Sequence, residues 1–167
     1  RSYPPAADLP VASPDQEGAP LTGARPAGAA PLAPGSEVAA KPLSSAGGDD
    51  PDWVLGVVRR RDEHSGLYDV EDADDRTLRY RLRPERVVAL PARRPRAYGP
   101  GNEFATGTPV LAMWPDSTCF YQAIVTVSPS QRAERDYLVS FMDDTENGQA
   151  VWRRVPAKYV VEEPDAI

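Results

Sequence analysis

The chain has 167 residues, 41% of them apolar, with 19 prolines, a net charge of −6 and one cysteine, Cys119. Its acidity argues against a phosphate-binding role, because nucleic-acid binders carry a cationic footprint; it suits a cationic partner, and equally serves solubility alone. A lone cysteine excludes an internal disulfide and fits a reducing compartment.

Eight of the prolines fall in the first 34 residues, among Ala, Gly and Ser. Such a segment buries too little surface to offset its ordering entropy, so residues 1–34 are expected to be disordered. The chain starts at Arg1 and not at Met, and reads as part of something longer. No apolar run is long enough for a membrane-spanning helix, and no signal peptide is evident.

From Gly35 onward, short runs rich in Val, Tyr and Trp alternate with Asp/Gly/Pro clusters. They predict strands over residues 37–41, 53–60, 66–71, 76–82 and 87–89. A Pro/Arg/Gly-rich linker follows at about 92–104. A second series of strands is predicted over 109–114, 120–127, 136–141, 150–154 and 159–161. No stretch keeps a helical period with caps.

The two series superpose. Glu37-Val38-Ala39-Ala40 matches Pro109-Val110-Leu111-Ala112, and Trp53 to Val58 matches Phe120 to Val125. Tyr68-Asp69-Val70 matches Tyr137-Leu138-Val139, and Val87-Val88 matches Val160-Val161. A repeat of about 70 residues is the size of a small bent antiparallel barrel. Two such barrels, over 35–91 and 105–164, gain by packing together, because neither alone encloses a large core. The expected fold is all-β.

Several blocks resemble one family. Val-Leu-Ala-Met-Trp-Pro (110–115), Thr-Cys-Phe-Tyr-Gln-Ala (118–123), Val-Ser-Phe-Met-Asp-Asp (139–144) and Val-Pro-Ala-Lys-Tyr-Val-Val (155–161) are similar to the C-terminal tandem Tudor region of the SAGA-associated factor 29 family. Gly-Ser-Glu-Val-Ala-Ala-Lys (35–41), Tyr-Asp-Val-Glu-Asp-Ala-Asp (68–74) and Arg-Val-Val-Ala-Leu-Pro (86–91) fit its first half. The resemblance implies two Tudor-like barrels in tandem that bind the N-terminal tail of histone H3 di- or trimethylated at lysine 4. It further implies a nuclear, non-enzymatic subunit that recruits a SAGA-type histone acetyltransferase complex.

In that family the positions of Trp114, Tyr121 and Phe141 form the methyl-lysine cage. The residues allow it. A trimethylated ammonium cannot donate a hydrogen bond, so it is held by converging π faces. Trp114 ends one predicted strand, Tyr121 opens the next after a turn at Pro115-Asp116-Ser117, and Phe141 ends a third. Phe120, alternating with Tyr121, is expected in the core. Asp143, two residues past Phe141, shares its face if the extension continues, and would complement the ammonium. The bland alternative is that all three aromatics are core. Against it, the matching positions of the first copy are Pro42, Val54 and Asp72, which carry no cage.

The resemblance assigns the free amine of the histone to Asp72 and Asp74. An α-ammonium needs several acceptors, which carboxylates supply. The alternative, a solvated acidic turn, stays open. Asp116 and Thr118 are candidates for further tail contacts. Three competing functions remain at this point: a methyl-lysine reader, a methylarginine reader, and a structural adaptor without methyl dependence.

No catalytic, metal or cofactor site is expected. His64 is the only histidine and sits in a turn sequence, and Cys119 has no evident base. No metal-ligand spacing or phosphate loop appears. The arginine clusters at 59–61 and 93–96 read as solvated faces, so no direct nucleic-acid partner is expected. The isolated chain is expected to be a monomer.

Overall fold

The computed structural model describes residues 30–44, 47–49 and 51–165. Most of the predicted disordered segment, residues 1–29, therefore lies outside the described residues. Its end does not match the expectation. The Leu32 N–H donates to the Tyr68 hydroxyl at 3.0 Å, and Leu32 packs on the first core. One apolar residue amid prolines suffices, because a buried tyrosine hydroxyl supplies the acceptor its backbone needs.

The first series folds as β1 (Glu37–Ala40), β2 (Trp53–Arg61), β3 (Tyr68–Asp72), β4 (Arg79–Leu82) and β5 (Val87–Ala89). The second folds as β6 (Pro109–Met113), β7 (Cys119–Val127), β8 (Tyr137–Phe141), β9 (Thr145–Glu146), β10 (Gln149–Ala150), β11 (Arg153–Val155) and β12 (Val160–Glu162). The two series pair identically. β1 joins β2 and β5, β2 joins β3, and β3 joins β4; likewise β6 joins β7 and β12, β7 joins β8, and β8 joins β11, all antiparallel.

The registers also agree with the repeat. Val38 faces Gly56 as Val110 faces Ala123, and Val70 faces Val58 as Val139 faces Val125. Each long strand shifts register once, between Val58 and Arg60 and between Val125 and Val127. A bulge there bends the strand and lets five short strands curl into a barrel.

Burial follows the alternation. Val38, Ala40, Val58, Tyr68, Val70, Leu82 and Val87 fill the first barrel. Val110, Ala112, Ala123, Val125, Tyr137, Val139, Phe141, Val155 and Val160 fill the second. A third cluster lies between them: Ala39, Trp53, Val88 and Leu90 meet Leu111, Met113, Phe120 and Val161. The strands with a buried residue at nearly every position, β1 and β6, face a barrel core on one side and the partner barrel on the other. β2 and β7 complete the join by pairing Trp53 with Phe120 and Val54 with Cys119. Lys158 of the second barrel reaches Glu37 of the first at 2.5 Å.

Gly56 is required by this packing. A Cβ there would lie 2.6 Å from Val70 Cγ1 and 3.0 Å from the Glu71 carbonyl oxygen. The same site in the second barrel accommodates Ala123.

Two other expectations change. The linker is docked: Tyr98, Glu103 and Phe104 are buried, and Phe104 belongs to the second core. The Phe104 N–H donates to the Tyr137 hydroxyl at 2.8 Å, and Glu103 accepts from the backbone and side chain of Ser130. The predicted strand 150–154 splits into β10 and β11. Asn147 and Gly148, with φ of 52° and 78°, form the β9–β10 hairpin turn that such a pair favours. The arginines at 59 and 60 are exposed, as expected of a solvated face, and pair with Glu71 and Asp69 of the adjacent strand.

Candidate functional site

The three aromatics expected to form a cage lie on one face at one end of the second barrel. Ala112 sits opposite Tyr121, and Ala123 sits opposite Phe141. Trp114 follows Ala112 by two residues, so the alternation of side chains brings it to the same face. A tight connection closes the corner. The Trp114 N–H donates to the Cys119 carbonyl at 2.9 Å, and the Ser117 hydroxyl donates to the Trp114 carbonyl at 2.9 Å. Asp116 adopts a φ of 61°, which this short turn needs.

The ring centroids of Trp114 and Phe141 are 4.9 Å apart with planes at 53°. Those of Trp114 and Tyr121 are 6.4 Å apart and nearly perpendicular, at 86°. Exposure is graded. Phe141 is 4% exposed and tops the barrel core, Trp114 is half-buried, and Tyr121 is 38% exposed at the rim. Phe120 faces the other way, into the cluster between barrels, as its alternation with Tyr121 requires.

These rings line a cleft of about 670 Å³ that runs onto the first barrel. Asp52, Glu163 and Asp165 line it too, against one cation, Lys41. The Lys41 ammonium is already placed over the Trp53 ring, 5.7 Å from its centroid. Burial pushes the Tyr121 hydroxyl pKa up, and the nearby Asp52 carboxylate adds to this. The cleft thus combines aromatic faces with an excess of carboxylates, which favours a cation carrying apolar groups.

Asp143 does not take the position expected of it. β8 ends at Phe141, and Asp143 turns out with a φ of 61° and an exposed side chain. The turn directs the next carboxylate inward instead. Asp144 binds Arg153 with both oxygens, at 2.6 and 3.1 Å, and the Arg153 guanidinium lies over Trp114, 4.6 Å from the ring centroid. This pair has no sequence signal. Asp144 and Arg153 are nine residues apart, and both look like surface charges.

Asp72 is buried, and its carboxylate is engaged within its own barrel. One oxygen accepts from the N–H groups of Asp74 and Asp75, at 2.8 and 3.0 Å, and the other from the Tyr80 hydroxyl at 2.9 Å. Burial and this bond push Tyr80 up to about 12. Asp72 therefore shapes the acidic turn and presents Asp74, whose side chain is exposed. The turn is close to the three aromatic rings. Ala73 donates to the Leu55 carbonyl, and the Leu55 N–H donates to the carbonyl of Thr118. Only β2 separates the acidic turn from the turn holding Asp116 and Thr118, a gap of two strand spacings or about 10 Å. His64 lies in a surface turn capped by Asp62, and Cys119 is a half-buried free thiol. Among the described residues no group of His, Cys, Asp and Glu is arranged to hold a metal.

The comparisons point one way. A family model described as the SGF29 tudor-like domain matches residues 34–164. The chain is similar to "SAGA-associated factor 29kDa" of Drosophila melanogaster, 37% identical over 116 residues that cover 68% of this chain and 40% of that protein. It is also similar to "SAGA-associated factor 29 homolog B" and "homolog A" of Arabidopsis thaliana, 32% and 31% identical over 78% of this chain and 50% of each of them. The chain thus spans at most about half the length of these curated relatives.

Proposed function

This chain belongs to the SGF29 tudor-like domain family, and on that premise we propose that it is a non-enzymatic reader of the histone H3 N-terminal tail trimethylated or dimethylated at lysine 4. The observation that carries the reading is the convergence of Trp114, Tyr121 and Phe141 at the mouth of one barrel, in a cleft rich in carboxylates. Each methylammonium–ring contact contributes about 0.5–1 kcal/mol when exposed and about 2 kcal/mol when desolvated. Phe141 at the floor and Tyr121 at the rim cover both regimes.

The acidic turn gives the second anchor. The tail's α-ammonium docks at the acidic turn, at Asp74 with the Asp72 carboxylate behind it, while Asp116 and Thr118 flank the path between. Four extended residues span at most about 14 Å, enough to cross the single strand that separates the two sites. A fixed separation then selects a methyl-lysine at position four of a free N-terminus. The names of the relatives support a place in a SAGA-type acetyltransferase complex, and with it a nuclear location.

Calorimetry with an H3 N-terminal peptide tests the reading. Trimethylation at lysine 4 is expected to tighten binding at least tenfold, or about 1.4 kcal/mol. Equal binding of the unmethylated peptide would leave a structural adaptor. Preference for dimethylarginine peptides would leave a methylarginine reader.

A further inference from the structure

Arg153 occupies a position where both barrels place a residue across the end of the core. It pairs with Val139 on β8, as Tyr80 pairs with Val70 on β3. Directly paired residues point to the same side of a sheet, so both side chains project toward the barrel interior. In the first barrel Tyr80 bonds Asp72, which matches Phe141 in the repeat. In the second barrel that aspartate is gone, and Arg153 lies instead over Trp114.

Trp114 lines the cleft, and the Arg153 guanidinium lies against its ring, 4.6 Å from the centroid. Both faces of an indole carry the same negative π potential. A cation already seated on the ring therefore opposes a second one at the same π system. Asp144 removes that opposition. Its carboxylate binds the guanidinium at two points and is only 12% exposed. Its backbone is fixed as well: its N–H donates to the Phe141 carbonyl, and its carbonyl accepts from Val151. The bond from Arg153 holds the Asp144 carboxyl below its usual range, so the pair stays ionised through neutral pH.

We infer that Arg153 and Asp144 form a charge-balanced brace against the cage: Arg153 positions Trp114, and Asp144 cancels the charge that would repel a second cation at that ring. The inference rests on the methyl-lysine reading and adds two residues to it. Neither touches the ligand.

A pair of peptides separates positioning from charge. One carries trimethyl-lysine; the other carries its uncharged carbon isostere, with a tert-butyl group in place of trimethylammonium. The ratio of their affinities is measured by calorimetry for the parent chain, Asp144→Asn, and the double variant Asp144→Asn with Arg153→Met. In Asp144→Asn the charged peptide is expected to lose about fivefold, the scale of one uncompensated charge at the same ring. The neutral peptide changes less than twofold, which also shows that the fold is kept. The double variant, lacking the cation, returns to the parental ratio within twofold. Equal losses on both peptides, an unchanged ratio in Asp144→Asn, or no recovery in the double variant would overturn the brace alone. A parent chain with no preference for the methylated peptide over the unmethylated one would overturn the cage reading and the brace with it.

Discussion

Tyr121→Ala is the cleanest perturbation of the proposed cage, because Tyr121 is the one of its three rings least needed for folding. It is 38% exposed, against 4% for Phe141. Truncating Phe141 would open the second core and cost about 3–5 kcal/mol of stability, so its loss of binding would be ambiguous. Truncating Tyr121 removes a rim wall and one edge-on contact with Trp114, worth about 0.5–1.5 kcal/mol. For a barrel pair of this size that lowers the melting temperature by only about 2–6 °C. The lost cation–π contact is intermediate between exposed and desolvated, about 1–1.4 kcal/mol. Binding of the trimethylated H3 peptide should therefore weaken about five- to tenfold by calorimetry, while the unmethylated peptide changes less than twofold. Equal loss on both peptides, or none on either, would refute the reasoning.

Three further outcomes follow from the structure. Asp74→Ala should weaken a peptide with a free N-terminus and leave an N-acetylated one almost unchanged; equal losses would remove the amine pocket. Gly56→Ala forces a Cβ against Val70 and the Glu71 carbonyl, and should cost about 1–3 kcal/mol in urea unfolding, whereas Ala123→Gly in the matching strand should not relieve anything. Burial pushes the Asp136 carboxyl up, but its bonds from Arg132 and Arg154 outweigh this and hold it below the usual range. A carboxyl depressed in the folded chain contributes stability that is full above about pH 4 and is lost as pH falls through its folded value. Asp136→Asn should therefore flatten the stability–pH curve in that acid window and change its slope nowhere above it; an unchanged slope below pH 4 would contradict the ion-pair account.

The strands and the repeat were legible because their signals are local. Val, Tyr and Trp alternate between turn residues, and a register shift of one residue would have turned Val110, Ala112 and Phe120 to the wrong sides. The comparison of copies also placed Asp72 opposite the position of Phe141, and the ladder registers agree. What escaped the sequence depends on contacts between distant segments. Phe104 looks like a linker residue until Tyr137 and Ser128 take up its backbone groups. Leu32 looks isolated among prolines until Tyr68 accepts its N–H. The Asn147-Gly148 turn is a readable hairpin signal, but the two-residue strand before it, β9, is too short to show an alternation and falls outside the predicted strands. Asp143 was placed by assuming extension, but its left-handed backbone turns it outward, and the next carboxylate, Asp144, pairs with Arg153.

The central claim is that a methylated ammonium sits among three named rings. The most direct measurement is an NMR titration with an H3 peptide carrying ¹³C-labelled methyl groups on trimethylated lysine 4. Nuclear Overhauser contacts are expected from those methyl protons to the ring protons of Trp114, Tyr121 and Phe141 together. Contacts to other side chains at saturating peptide, with none to these rings, would contradict it.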